Sequence, residues 1–70
     1  MYGVIQFMNG QFSVVAEGAN PDSMEANYFN HIAAIINDSG AAKGCVKLLD
    51  ENLDVYDGCI KLIDKPAKES

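Results

Sequence analysis

The chain has 70 residues, no arginine, and a formal charge of −5 from ten Asp and Glu against five Lys. That length makes one domain near the lower limit for folding alone, since so short a chain buries only about 60% of its unfolded surface and often needs a partner subunit. Nucleic-acid affinity comes largely from Lys and Arg neutralising phosphates, and base reading leans on Arg. The composition therefore argues against direct nucleic-acid binding and suits either solubility or contact with a basic partner.

Apolar residues make up 49% of the chain, ample for a core and too many for disorder. No apolar run approaches the ~18 residues of a membrane span, and no basic segment precedes an apolar stretch at the start. The expectation is a cytoplasmic protein without membrane association, with Cys45 and Cys59 as free thiols.

Tyr2 to Phe7 and Gln11 to Ala16 flank Asn9-Gly10. Both turn residues accept the positive φ of a type I′ turn, which predicts a two-residue β-hairpin. The register that follows sets Met8 against Gln11, Phe7 against Phe12, Gln6 against Ser13, Ile5 against Val14 and Val4 against Val15. One face then carries Ile5, Phe7, Phe12 and Val14 and is wholly apolar, which assigns it to the core.

After a loop at Gly18 to Asn20, Asn20 is a candidate N-cap with Pro21 at the first helical position. Asp22 with Glu25 is an alternative cap one turn in. The helix is expected to run to about Ser39 and stop at Gly40. Met24, Tyr28, Phe29, Ile32, Ile35 and Ile36 fall on one stripe at 3.6 residues per turn.

The C-terminal half contains a near-repeat. Gly44-Cys45-Val46-Lys47-Leu48-Leu49-Asp50 returns as Gly58-Cys59-Ile60-Lys61-Leu62-Ile63-Asp64, and each difference exchanges one branched aliphatic for another. The offset of fourteen fits strand, turn, strand, turn, and Asp57-Gly58 is a second hairpin signal. This predicts a three-stranded meander in which both copies pair with a central strand near Leu53–Tyr56. Lys47, Asp54 and Lys61 would then form a charged row worth about 0.2–1 kcal/mol per pair.

The assembled expectation is an α+β, two-layer domain over residues 1–65: a β-hairpin, one α-helix and the meander, the helix on one face of an antiparallel sheet. Residues 66–70 read as a flexible tail. On the face away from the helix this arrangement sets Tyr2, Val4, Val15, Leu49, Tyr56, Cys45, Cys59 and Ile63, the candidate interface of a homodimer.

Candidate chemistry is sparse. His31 is the only histidine, and no serine or cysteine is placed to complete a triad with it. The cysteine spacing matches no zinc pattern. Asp50 to Asp54 opens like a calcium loop, but Val55 and Lys61 stand where Gly and Glu are required. No catalytic residue, metal or cofactor is assigned. The expected function is a small acidic, non-enzymatic interaction module. Asp38, Asp50, Glu51, Asp54 and Asp57 would meet a basic partner, in one form as an inhibitor or modulator of a nucleic-acid-handling protein. The alternative is a homo-oligomer binding a small ligand at its subunit interface.

Overall fold

A computed structural model describes residues 1–8, 10–38 and 43–64. The elements are β1 (Tyr2–Met8), β2 (Gln11–Gly18), α1 (Pro21–Asn37), β3 (Lys43–Leu49) and β4 (Val55–Asp64). The four strands form one sheet in the order β2-β1-β3-β4, every neighbouring pair antiparallel. The helix lies against one face, so the α+β two-layer arrangement is present. The tail at 66–70, the helix stop at Gly40 and the turn residue Asn9 lie outside the described residues.

The first hairpin keeps its expected register from Met8↔Gln11 to Ile5↔Val14. Gly10 sits at φ 81°, in the region the two-residue turn requires. Beyond Ile5 a bulge intervenes and Val4 pairs with Ala16. The extra residue is Val15, and both Val15 and Ala16 pack against the core. Inserting one residue lets β2 place two successive apolar side chains inward where strict alternation allows one.

Asn20 caps α1: its side-chain oxygen accepts from the backbone N–H of Asp22 at 2.9 Å and of Ser23 at 3.2 Å. Pro21 follows at the first helical position, where its missing N–H costs nothing. The helix ends at Asn37, and the Asp38 N–H donates to the Ile35 carbonyl at 3.1 Å. The buried stripe is narrower than expected. Met24, Tyr28 and Ile35 are buried and Ile32 packs beside them, but Phe29 and Ile36 stay exposed.

β2 and β3 run in the same direction with β1 between them, so α1 is a crossover. Such connections are right-handed in about 98% of cases. Once the strand order is fixed, only one sheet face is open to the helix.

The C-terminal half corrects the expected meander. There is no central strand: β3 pairs directly with β4, from Lys43↔Asp64 to Lys47↔Ile60 and again at Leu49↔Val55. Asp50 to Asp54 forms the reversal. The Asp50 Oδ1 accepts from the Asn52 N–H at 2.9 Å and the Asp54 N–H at 3.0 Å, and Leu53 takes φ 66°. Asp57 and Gly58 do adopt positive φ, 44° and 76°. They form a wide bulge inside β4 instead of a chain reversal, because pairing with β3 resumes at Ile60. The Lys47–Asp54–Lys61 row consequently does not exist.

The two copies of the heptad therefore pair with each other antiparallel: Gly44↔Ile63, Cys45↔Leu62, Val46↔Lys61, Lys47↔Ile60. Counting from zero, position k of one copy meets position 5−k of the other. Five is odd, so equivalent positions point to opposite faces. Val46 and Leu48 are fully buried under the helix, while their counterparts Ile60 and Leu62 are exposed on the other side. In the second copy the buried residues are Cys59 and Ile63. Val4, Met8, Met24, Tyr28 and Ile35 complete the core.

Gly44 faces Met8 across β1 and β3. A Cβ there would land on the Phe7 carbonyl oxygen and the Met8 Sδ. The contact with a backbone oxygen cannot relax by rotamer change. We expect Gly44→Ala to lower the unfolding free energy by about 2–3 kcal/mol in urea denaturation, the upper part of the overpacking range. Gly3→Ala, whose added methyl would meet nothing nearer than the Ala16 carbonyl oxygen at 3.9 Å, is expected to be neutral or stabilising by about 0.5 kcal/mol.

Candidate functional site: an open sheet face and an acidic end

The face away from α1 carries Phe12 and Val14 from β2, Ile5 and Phe7 from β1, Cys45, Lys47 and Leu49 from β3, and Ile60 and Leu62 from β4. Its middle holds an open depression of about 280 Å³ lined by Ile5, Phe7, Phe12, Cys45 and Lys47. A second, of about 330 Å³, lies toward the Asp50–Asp54 turn, with Ile5, Val14, Leu49 and Leu53 in its wall and Glu17, Asp50 and Glu51 at its margin.

An open apolar face therefore exists, but six of the eight residues expected on it lie elsewhere. Val4, Cys59 and Ile63 are buried in the core, and Tyr2, Val15 and Tyr56 pack against it beneath the helix. Tyr2 and Tyr56 meet edge to face with ring centroids 5.2 Å apart. Only Cys45 and Leu49 are on the open side. The inversion has two causes: the crossover sets the helix on the Val4–Met8 side of β1, and the bulge at Asp57-Gly58 turns Cys59 and Ile63 to that side.

The acids segregate. Glu17 ends β2, Asp22 and Glu25 begin α1, Asp50, Glu51 and Asp54 lie in or next to the β3–β4 turn, and Asp57 is in the β4 bulge. All belong to the end of the sheet where Tyr2 pairs with Gly18 and Leu49 with Val55. Three of these carboxylates act on the Tyr56 hydroxyl. Its pKa is raised, first by desolvation, then by Tyr2 and the carboxylates of Glu25, Asp57 and Asp22. Asp50, Glu51, Asp54 and Asp57 are thus brought together. Asp38 is not: it caps the far end of a 17-residue helix, about 25 Å away. Asp50 is occupied in holding its own turn, and Glu51 lies 3.9 Å from the Met1 ammonium.

The described lysines are elsewhere. Lys43 reaches Asp64 at 3.7 Å at the opposite end. Lys47 lies on the open face, and Lys61 is exposed on β4 beside Val46.

Both cysteines are free, on opposite faces of the sheet. Cys59 is buried and its thiol donates to the Glu25 Oε2 at 3.8 Å. Its pKa is raised, mainly by burial and then by the Glu25 carboxylate, which also holds the proton through that hydrogen bond. Such a thiol is a poor nucleophile at neutral pH. Cys45 is half-buried on the open face. His31 is half-buried on α1. Among the described residues no group of three or more His, Cys, Asp or Glu is placed to hold a metal ion, and no helix is long and apolar enough to cross a membrane.

Compared with known proteins, the chain matches no family model, no curated protein and no solved structure.

Two measurements follow. Brief alkylation of the native protein at high dilution and pH 7.5 is expected to label Cys45 and spare Cys59, read by peptide mass spectrometry; labelling of Cys59 as fast as in the denatured chain would contradict its burial. Stability should also fall at high pH. The folded state holds the Cys59 thiol and the Tyr28 hydroxyl above their ordinary values of 9.0 and 10.0, burial being the main cause in each. The unfolded chain therefore loses these protons first, so the contribution is complete below about pH 8.5 and declines as pH rises past 9. Cys59→Ala should remove the first part of that decline in urea melts taken across the range.

Proposed function

We propose that this protein is a non-enzymatic interaction module that engages a basic protein through its acidic end. One form of this role is an inhibitor or modulator that occupies the nucleic-acid groove of such a partner. What carries the reading is the segregation of charge. Seven of the ten acids (Glu17, Asp22, Glu25, Asp50, Glu51, Asp54 and Asp57) gather at one end, while Lys43 and Lys61 lie toward the other. A concentrated field of one sign steers a basic surface into contact and sets its orientation. Carboxylates on a turn and a bulge present to that partner what a phosphate backbone would. Free thiols suit a cytoplasmic setting.

A second reading, a homo-oligomer that takes a small ligand at its interface, draws on the depression beside Cys45 and Lys47. That depression, like its neighbour toward the Asp50–Asp54 turn, is open to solvent, whereas ligand sites enclose most of what they bind, so the first reading is preferred.

The test is a tagged pull-down from cells of the native source at low and high salt. The expected catch is a basic protein that high salt releases. A variant combining Glu51→Gln, Asp54→Asn and Asp57→Asn leaves the turn-forming Asp50 intact. It should weaken that complex by about tenfold or more, equivalent to about 1.4 kcal/mol. Capture indifferent to both salt and the triple substitution would contradict the electrostatic reading.

A further inference from the structure

The open face differs from an ordinary protein surface in what it is made of. Ile60 and Leu62 occupy the same heptad positions as Val46 and Leu48, which are fully buried under the helix. Inverted pairing of the two copies thus gives the sheet two apolar faces, and a sheet apolar on both sides is the middle layer of a three- or four-layer structure. One helix covers one side. We propose that a second copy of this chain covers the other, sheet against sheet, to give a helix–sheet–sheet–helix dimer. This inference does not depend on the role assigned to the acidic end.

Area supports a second copy. Phe7 is 48% exposed, Phe12 63%, Val14 57%, Ile60 45% and Leu62 71%. With whole aromatic side chains at about 150–250 Å² and aliphatics somewhat smaller, these fractions amount to about 500 Å² per copy. That lies in the upper part of the range for the largest apolar patch on a monomer, about 300–600 Å². Two such faces together remove about 1,000 Å², the area a specific interface has to reach. Neighbouring sheet layers pack about 10 Å apart, a separation these side chains fill from both sides.

Charge and relief fit the same occupant. In a chain carrying ten acids, the open face holds acids only at its margins: Glu17 on the edge strand β2 with Asp50 and Glu51 at one end, and Asp64, paired with Lys43, at the other. A copy packed with its strands running the opposite way sets its acidic end over the Lys43–Asp64 end of this one, not over its acids. Lys47 is the single central charge, and its four-carbon stem can lie along the apolar surface while the ammonium reaches the rim. The small Cys45 leaves the depression between larger neighbours, and the protruding Leu62 lies directly beside it, paired with Cys45. A face that offers both a projection and a hollow has what an isologous contact requires.

The experiment is sedimentation equilibrium of the wild-type chain over a concentration series, with Cys45 alkylation rates measured on the same samples. The expected mass is twice the 7.6 kDa of one chain. Cys45 labelling should slow several-fold as concentration rises through the dissociation range. Leu62→Glu, which alters an already exposed side chain, should return a monomer with an unchanged far-ultraviolet circular dichroism spectrum. A wild-type monomer throughout, with a constant Cys45 rate, overturns the proposal and leaves the face to a different partner. A dimer that survives Leu62→Glu overturns it too, by placing the contact on another surface such as a sheet edge. If Leu62→Glu does not fold, the wild-type mass and Cys45 rates decide alone.

Discussion

Two heptads of nearly the same composition, paired antiparallel so that their position numbers sum to an odd value, cannot turn the same side chains to the same face. Most of this molecule follows from that constraint. The first copy gives Val46 and Leu48 to the core and leaves Cys45, Lys47 and Leu49 outside; the second gives Cys59 and Ile63 and leaves Ile60 and Leu62 outside. Each copy is apolar on both sides, so both faces of the sheet become apolar wherever the helix lies. The bulge at Asp57-Gly58 belongs to the same adjustment, since it carries β4 from the Val55 pairing to the Ile60 pairing against a single intervening residue of β3.

Packing within the covered face is close. Gly44 yields the space that Met8 fills, and a methyl there has nowhere to go. Glu25 illustrates how the covered side joins the acidic end. It sits on α1 above β4, accepts from the buried Cys59 thiol and contributes to the field felt by Tyr56. The open face has apolar character without cover, and the acidic end has charge without neighbouring lysines among the described residues. On these two surfaces rest the partners we propose, a basic protein at the acidic end and a second copy of the chain on the open face.

The sequence made some of this legible and hid the rest for physical reasons. Asn20-Pro21 and Gly10 act locally, through one side-chain cap and one backbone dihedral, so the helix start and the hairpin register could be read directly. Asp57-Gly58 was legible as conformation and misleading as topology. Positive φ at two successive residues serves a hairpin or a bulge equally well, and only the partner strand decides. The covered face was illegible because β1 is apolar on both sides: Tyr2, Val4 and Met8 on one, Ile5 and Phe7 on the other. Alternation cannot choose between them. Strand order and the handedness of the crossover do, and neither is written in any short stretch of residues. Hence Ile5, Phe7, Phe12 and Val14 read as core, and Tyr2, Val4, Val15, Tyr56, Cys59 and Ile63 as surface. The signal that pointed the other way was the repeat itself, had its copies been paired with each other.

That pairing is open to direct observation. A nuclear Overhauser spectrum of isotopically labelled protein reports which backbone protons lie across from which. The account predicts cross-strand contacts joining Val46 to Lys61 and Lys47 to Ile60. Contacts joining Val55 to Ile60 and Leu53 to Leu62 in their place would restore a meander with a central strand, put both heptads on the same face, and contradict it.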